Sequence, residues 1–163
     1  VPPVLFAPSR WIFFPWYPDP EFDPTWSRIR KGLWAERAVA RHLWLEHSCR
    51  VVSHRWVASN GSDIDLVMAD EKCYHFLEVK FRSSGDDNPW QQVLDPDRMR
   101  RFREAIGEFL RSRRERQAAI RIDAWLVRAG KSGEPLFETY PDCLLPEVVP
   151  GWLGKRSSST PPD

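Results

Sequence analysis

Two of the chain's three Asp-Pro pairs, Asp23-Pro24 and Asp95-Pro96, bracket most of what this chain can fold into. Each sets a carboxylate at an N-cap and a proline at the first helical position, where the missing N–H costs nothing. The first pair predicts a helix to about His47, and the second a helix to about Glu115. Between them lie three strand-like runs, Arg50 to Val57, Asp63 to Met68 and Cys73 to Arg82, separated by turns at Ser59-Asn60-Gly61-Ser62 and Ala69 to Lys72. Turns that short join antiparallel neighbours, so the three runs form a meander. Ala118 to Val127 alternates as a further strand, and Leu136 to Tyr140 adds a short one. The order α-β-β-β-α-β defines an α/β domain with a mixed central sheet flanked by helices.

The first helix carries an anomaly. Its apolar stripe is Ile29, Leu33, Ala40 and Leu43, and position 36, which completes the spacing, is a glutamate. A carboxylate therefore points the way the core residues point. The second helix has an unbroken stripe of Met99, Phe102, Ile106 and Phe109.

Period two places Asp63, Asp65 and Val67 on one face of their strand, with Ile64, Leu66 and Met68 on the other. In the next strand Tyr74, Phe76, Glu78, Lys80 and Arg82 share a face, opposite the core-like Cys73, His75, Leu77, Val79 and Phe81. If the hairpin aligns the polar ends, Asp65, Glu78 and Lys80 converge, and Glu36 can join them from the helix. Carboxylates gathered on rigid elements suit a hard cation such as Mg²⁺, which takes oxygen ligands and keeps waters for substrate phosphates. An ammonium beside them can orient or help deprotonate an attacking water. The same spacing also fits a solvated sheet face on which Glu78 and Lys80 are merely charged neighbours.

Composition limits the partners. At 163 residues the chain is about one domain, able to build a core without a metal or disulfide. A 42% hydrophobic and 29% charged composition excludes disordered, collagen-like and coiled-coil classes for the bulk of it. Twenty-four Lys plus Arg against 23 Asp plus Glu leave +1, so a nucleic-acid site must come from local clustering. The second helix supplies it, with eight arginines against three glutamates between Arg98 and Arg116. Arg98 and Arg101, near the helix start and on the side where the chain leaves Arg82, suit phosphate oxygens. A solvated helix face is the competing reading.

Other chemistry lacks its motifs: there is no P-loop, no GxGxxG and no GxSxG. Cys49, Cys73 and Cys143 form neither a disulfide framework nor a zinc knuckle and read as small buried hydrophobes in a reducing cytoplasm. His42, His47, His54 and His75 make no ligand-spaced pair, and His75 falls on an apolar strand face as a core histidine. Val4 to Tyr17 is cut by Pro8, Arg10 and Pro15, so neither a membrane span nor a signal peptide is expected. Residues 1–24 hold seven of the 15 prolines and form an aromatic-rich arm. Its expected place is across the domain surface with its aromatics in grooves, against the alternative of docking a protein partner or stacking on bases. The remaining segments are a domain over 25–130, an extension over 131–153 and a disordered tail over 154–163.

Taken together, Gly32 to Leu43 (GLWAERAVARHL), Gly61 to Val67 (GSDIDLV), Leu77 to Arg82 (LEVKFR), Pro96 to Leu110 (PDRMRRFREAIGEFL) and Arg121-Ile122-Asp123 resemble the YraN family of small predicted endonucleases, over about residues 29–128. That family looks like a branch of the restriction-endonuclease-like PD-(D/E)XK superfamily, so the resemblance implies a restriction-endonuclease-like core. It implies metal ligation by Asp65, Glu78 and the first-helix Glu36, catalysis by Lys80 with Asp65 and Glu78, and Mg²⁺ or Mn²⁺ as cofactor. Asp63 stands where a longer acid is usual, as an auxiliary acid, and Arg98 where lysine is common; Ser62 and Ala35 each replace a glycine. The implied substrate is DNA, at branched or non-duplex structures by analogy with junction resolvases. The alternative is a nuclease-fold module that binds nucleic acid or a DNA-processing protein without cutting.

Overall fold

The computed structural model describes residues 21–83, 95–115 and 118–141. Its elements are α1 (Arg28–His47), β1 (Arg50–Val57), β2 (Asp63–Ala69), β3 (Tyr74–Phe81), α2 (Pro96–Ser112), β4 (Ile120–Ala129) and β5 (Pro135–Tyr140). The sheet runs β1-β2-β3-β4-β5. β1, β2 and β3 form the antiparallel meander, β4 lies parallel to β3, and β5 returns antiparallel on β4. The α2 segment is the crossover that a parallel β3–β4 pair requires. This is the mixed α/β sheet expected from the order of elements, with one helix packed on each face.

The two Asp-Pro pairs do different things. Asp95 caps α2, its carboxylate accepting the Arg98 N–H at 2.9 Å, with Pro96 in the first turn. Asp23 instead closes a turn, accepting the Thr25 N–H at 2.8 Å and the Thr25 hydroxyl at 2.7 Å, while the Trp26 N–H donates to the Asp23 carbonyl. Helix α1 therefore starts later than expected, at Arg28, capped by Ser27. Tertiary packing decides the matter: Phe22 stacks on Phe81 of β3 (5.4 Å between ring centroids) and tilts against Trp34 of α1 (4.8 Å). The turn is what brings Phe22 back over the helix. The rest of the arm, Cys143 and the expected tail lie outside the described residues, as does the extension beyond 141.

Two apolar clusters use the two faces of the sheet. Trp34, Ala35, Val39, Ala40 and Leu43 of α1 pack on Leu66, Met68, Leu77, Val79, Trp125 and Val127. Phe102, Ala105, Ile106, Phe109 and Leu110 of α2 pack on Val67, Tyr74, Phe76, Ile120 and Ile122. The face of β3 that carries Tyr74, Phe76 and Glu78 is thus as buried as its opposite, because α2 covers it. Ile29, expected on the α1 stripe, is 71% exposed; the buried side of the helix is set by Trp34, Ala35, Ala38 and Val39.

Strict alternation also breaks in β2, where Ile64 joins the α2-side cluster while Leu66 and Met68 face α1. The partner strand β1 is itself irregular: its register against β2 shifts between Val51 and Ser53, and Arg55 has φ at +49°. A left-handed residue inside a strand turns the pleat, and period-two reasoning cannot carry through it. The β1–β2 turn is closed by the Ala58 N–H to Ser62 carbonyl bond (2.8 Å), with Gly61 at φ +79°. Helix α2 grips this turn, since Glu108 accepts from the Ser59 N–H and hydroxyl, and Asn60 donates to the Arg101 carbonyl and to Glu104.

Candidate metal centre

Pairing between β2 and β3 stops at Leu66–Leu77. One residue further, where Asp65 and Glu78 would meet across the ladder, the Asp65 carboxylate takes over and accepts the Val79 N–H at 2.7 Å. Asp65 and Glu78 are both buried, Asp65 at 8% and Glu78 at 2% exposure. Burial pushes the Asp65 carboxyl well above the usual aspartate range, and the neighbouring Glu78 charge adds to that rise. Lys80 and the Val79 N–H pull the other way without cancelling it.

Glu78 is held from two sides. The Lys80 ammonium lies 2.7 Å from its Oε1, and the Arg98 guanidinium reaches the same oxygen from the first turn of α2. The strand face thus brings Glu78 and Lys80 into contact, and the helix start adds Arg98.

Glu36 points inward from α1, as its place among the core residues requires, and is 4% exposed. It meets partners that sequence reasoning missed. His54 Nε2 lies 2.5 Å from Glu36 Oε2, and Arg55 donates from Nε at 3.0 Å and from its terminal nitrogen at 2.8 Å, gripping both carboxylate oxygens. Burial pushes the Glu36 carboxyl up, but the bonds from His54 and Arg55 outweigh burial and hold it below the usual glutamate range. No spacing rule pairs positions 18 and 19 residues apart on different elements. The left-handed Arg55 is what turns its guanidinium toward the helix.

The three carboxylates are neighbours in charge without being a closed ligand set. Glu36 and Glu78 both act on Asp65 electrostatically. Among the described residues, however, the one trio of His, Cys, Asp or Glu donors within 4.8 Å of one another is Cys49, Asp70 and His75. Asp63 is exposed at the start of β2, and its charge, like that of Asp65, acts on Arg55. Arg82 continues the β3–β4 ladder, its N–H donating to the Val127 carbonyl, with its guanidinium on the Phe81 carbonyl. Arg101 is exposed on α2, whereas Arg100 pairs with Glu104 and Arg113 lies over the Phe109 ring.

A five-stranded mixed sheet with a helix on each face and an acidic pair at the parting of β2 and β3 defines a small α/β protein with a restriction-endonuclease-like core. Residues 35–127 match the model of UPF0102, an uncharacterised protein family, and the chain belongs to this family, also called YraN. Among its relatives, a UPF0102 protein of Mycobacterium sp. (strain JLS) is 33% identical over 113 residues, covering 68% of this chain and 82% of the relative. One from Mycobacterium avium (strain 104) is 31% identical over 115 residues, 69% of this chain and 88% of the relative. One from Mycolicibacterium vanbaalenii is 33% identical over 111 residues, 68% and 90% respectively. The match spans the stretch from α1 to β4 that carries Glu36, Asp65, Glu78, Lys80, Arg98 and Arg101. Among the described residues no helix is long and apolar enough to cross a membrane.

Proposed function

We propose that the protein is a metal-dependent nuclease that hydrolyses DNA phosphodiester bonds, at branched or other non-duplex structures, in the cytoplasm. The observation that carries this reading is the buried Asp65, raised by both burial and the Glu78 charge, beside a lysine on the same strand as Glu78. Two carboxylates forced together out of water are costly unless a cation shares them. Oxygen-only donors suit Mg²⁺ or Mn²⁺, so the residues fit such an ion. Asp65 and Glu78 would hold it, with Glu36 completing the set once released from His54 and Arg55. A bound ion supplies Lewis-acid stabilisation of the charge that grows on the scissile phosphate.

The remaining work belongs to the chain itself. Lys80 orients the attacking water and balances the carboxylates. Arg82, Arg98 and Arg101 place the DNA backbone without reading its sequence, since guanidinium forks match phosphate oxygens. Asp63, at the exposed start of β2, is an auxiliary acid at the rim.

A second reading has one specific observation behind it. Glu78 is already paired with Lys80 and Arg98, and Glu36 is already held by His54 and Arg55, an arrangement that a binding module without catalysis would also tolerate. The purified protein, incubated with labelled duplex, single-stranded and four-way-junction DNA in Mg²⁺, Mn²⁺ or EDTA, separates the two. Metal-dependent cleavage that EDTA abolishes supports the nuclease. DNA binding with no product in any metal assigns the chain to the binding class.

A further inference from the structure

Far along the strands from Asp65 and Glu78, a second group of donors collects, and its chemistry is different. Helix α1 closes on Ser48, whose backbone is left-handed (φ 55°), and the Cys49 N–H returns to the Leu43 carbonyl at 3.2 Å. That fixes Cys49 at the entrance to β1. Asp70 follows β2, and its Oδ1 accepts the Lys72 and Cys73 N–H groups at 2.7 and 2.8 Å. The pinned carboxylate presents Oδ2 to His75 Nε2 at 2.9 Å. Cys73 Sγ lies 3.5 Å from the same nitrogen. One ligand atom each from Cys49, Asp70 and His75 falls within 4.8 Å of the other two.

We infer that Cys49, Asp70 and His75, with Cys73 as the fourth donor, form a zinc site that ties together the ends of β1, β2 and β3. A tetrahedral ion with bonds of about 2.0 to 2.3 Å sets neighbouring N and O ligands about 3.3 Å apart and N and S ligands about 3.6 Å apart. The 2.9 Å Asp70–His75 and 3.5 Å Cys73–His75 separations are within a few tenths of an ångström of those edges. Cys73 stands beside the trio rather than inside its mutual reach, its sulfur already 3.5 Å from His75 Nε2, so joining the set requires its side chain to change rotamer.

Thiolate and imidazole donors select zinc over the hard cations suited to Asp65 and Glu78. Two thiolates, one carboxylate and Zn²⁺ leave a single negative charge. Arg121, paired in register with His75 on the neighbouring strand and 3.7 Å from Asp123, places a positive charge that reaches both cysteines. A plain hydrogen-bonded cluster accounts for Asp70 and His75 but gives Cys49 only a long contact to the His47 carbonyl, 3.8 Å. Burial pushes the Cys49 thiol up to about 11 and the Cys73 thiol up to about 12, so without a metal both are neutral thiols. That matches the apolar role their isolated spacing suggests.

The test uses the full chain, stripped with a chelator and titrated with Zn²⁺ or Co²⁺. One equivalent should bind, Co²⁺ should show the thiolate charge-transfer bands and intense ligand-field bands of a tetrahedral sulfur-bearing site, and Zn²⁺ at a hundredfold excess over Kd should raise Tm by roughly 5–10 °C. Cys49→Ser combined with Cys73→Ser should abolish the charge-transfer bands and weaken zinc by more than the roughly hundredfold that loss of an outer-shell partner costs. Glu78→Gln should change neither. A wild type whose Tm ignores zinc and whose cobalt spectrum lacks sulfur overturns the inference without any variant. Charge-transfer bands that persist in the folded double variant overturn it as well, since they would come from Cys143 alone.

Discussion

The carboxylate of Asp65 accepts the backbone N–H of Val79 at 2.7 Å, standing in for a ladder bond where β2 and β3 part. A side chain that substitutes for backbone pairing is fixed in direction. It is also a charge that burial and Glu78 resist.

Removing that charge should therefore stabilise the metal-free protein while destroying its activity. Because the folded state raises the Asp65 carboxyl, it binds the proton more tightly than the unfolded chain. The Asp65 contribution is then largest at low pH and declines as pH rises from about 3.9 through the raised folded value. Asp65→Asn keeps an oxygen for Val79 and loses this decline. Urea unfolding in EDTA across pH should show the variant more stable than wild type at pH 7 and level with it in acid. Cleavage should fall below detection, and full activity would reject the assignment.

Glu36→Gln should do the opposite. Its folded carboxyl is held low, so its contribution is present above about 4.3 and vanishes as pH falls through the folded value. At pH 7 the variant should lose about 1–3 kcal/mol, the scale of hydrogen bonds to a charged group. The gap between variant and wild type should close in acid, read from the same urea midpoints.

Arg98 grips Glu78 and also faces outward at the start of α2. Arg98→Ala should weaken DNA binding evenly across sequences and flatten the salt slope by about 0.9, one phosphate contact. It should also tighten Mg²⁺ about tenfold, because Glu78 loses one competing cation. Arg101→Ala should reproduce the DNA effect alone. Filter-binding titrations at several salt concentrations, with calorimetry for the metal, distinguish them.

Lys80→Ala separates catalysis from binding. The cleavage rate should fall by about 10² to 10⁴ while metal-dependent DNA binding survives, since Asp65 and Glu78 still hold the ion. Single-turnover kinetics beside a binding assay reads both. Equal cleavage in the variant would remove Lys80 from the reaction.

Much of the scaffold was legible because it obeys local rules. β1 runs from Arg50 to Val57 as the pattern predicts, and Asp95-Pro96 starts α2 where the cap says it should. The inward Glu36 was legible from its spacing alone. What escaped is set by distant partners. Asp23-Pro24 carries the same signal as Asp95-Pro96, yet Phe22 packing on Trp34 and Phe81 makes it a turn. The grip of His54 and Arg55 on Glu36 depends on one left-handed residue that no hydrophobic pattern reports. Cys49 and His75 are 26 positions apart and meet only because the β2–β3 loop and the end of α1 share one end of the sheet.

β2 is a wall shared by two rooms: Val67 furnishes the α2 side while Leu66 and Met68 furnish the α1 side. Neither side can melt without dissolving the strand that the other leans on, so local opening of one is also loss of the other. Each room holds its own lamp, Trp34 fully enclosed under α1 and Trp56 set edge-on against Phe109 under α2. Excited separately through single-tryptophan backgrounds, the two should dim at one common denaturant concentration, the signature of a single cooperative transition in a sheet with a core on each face.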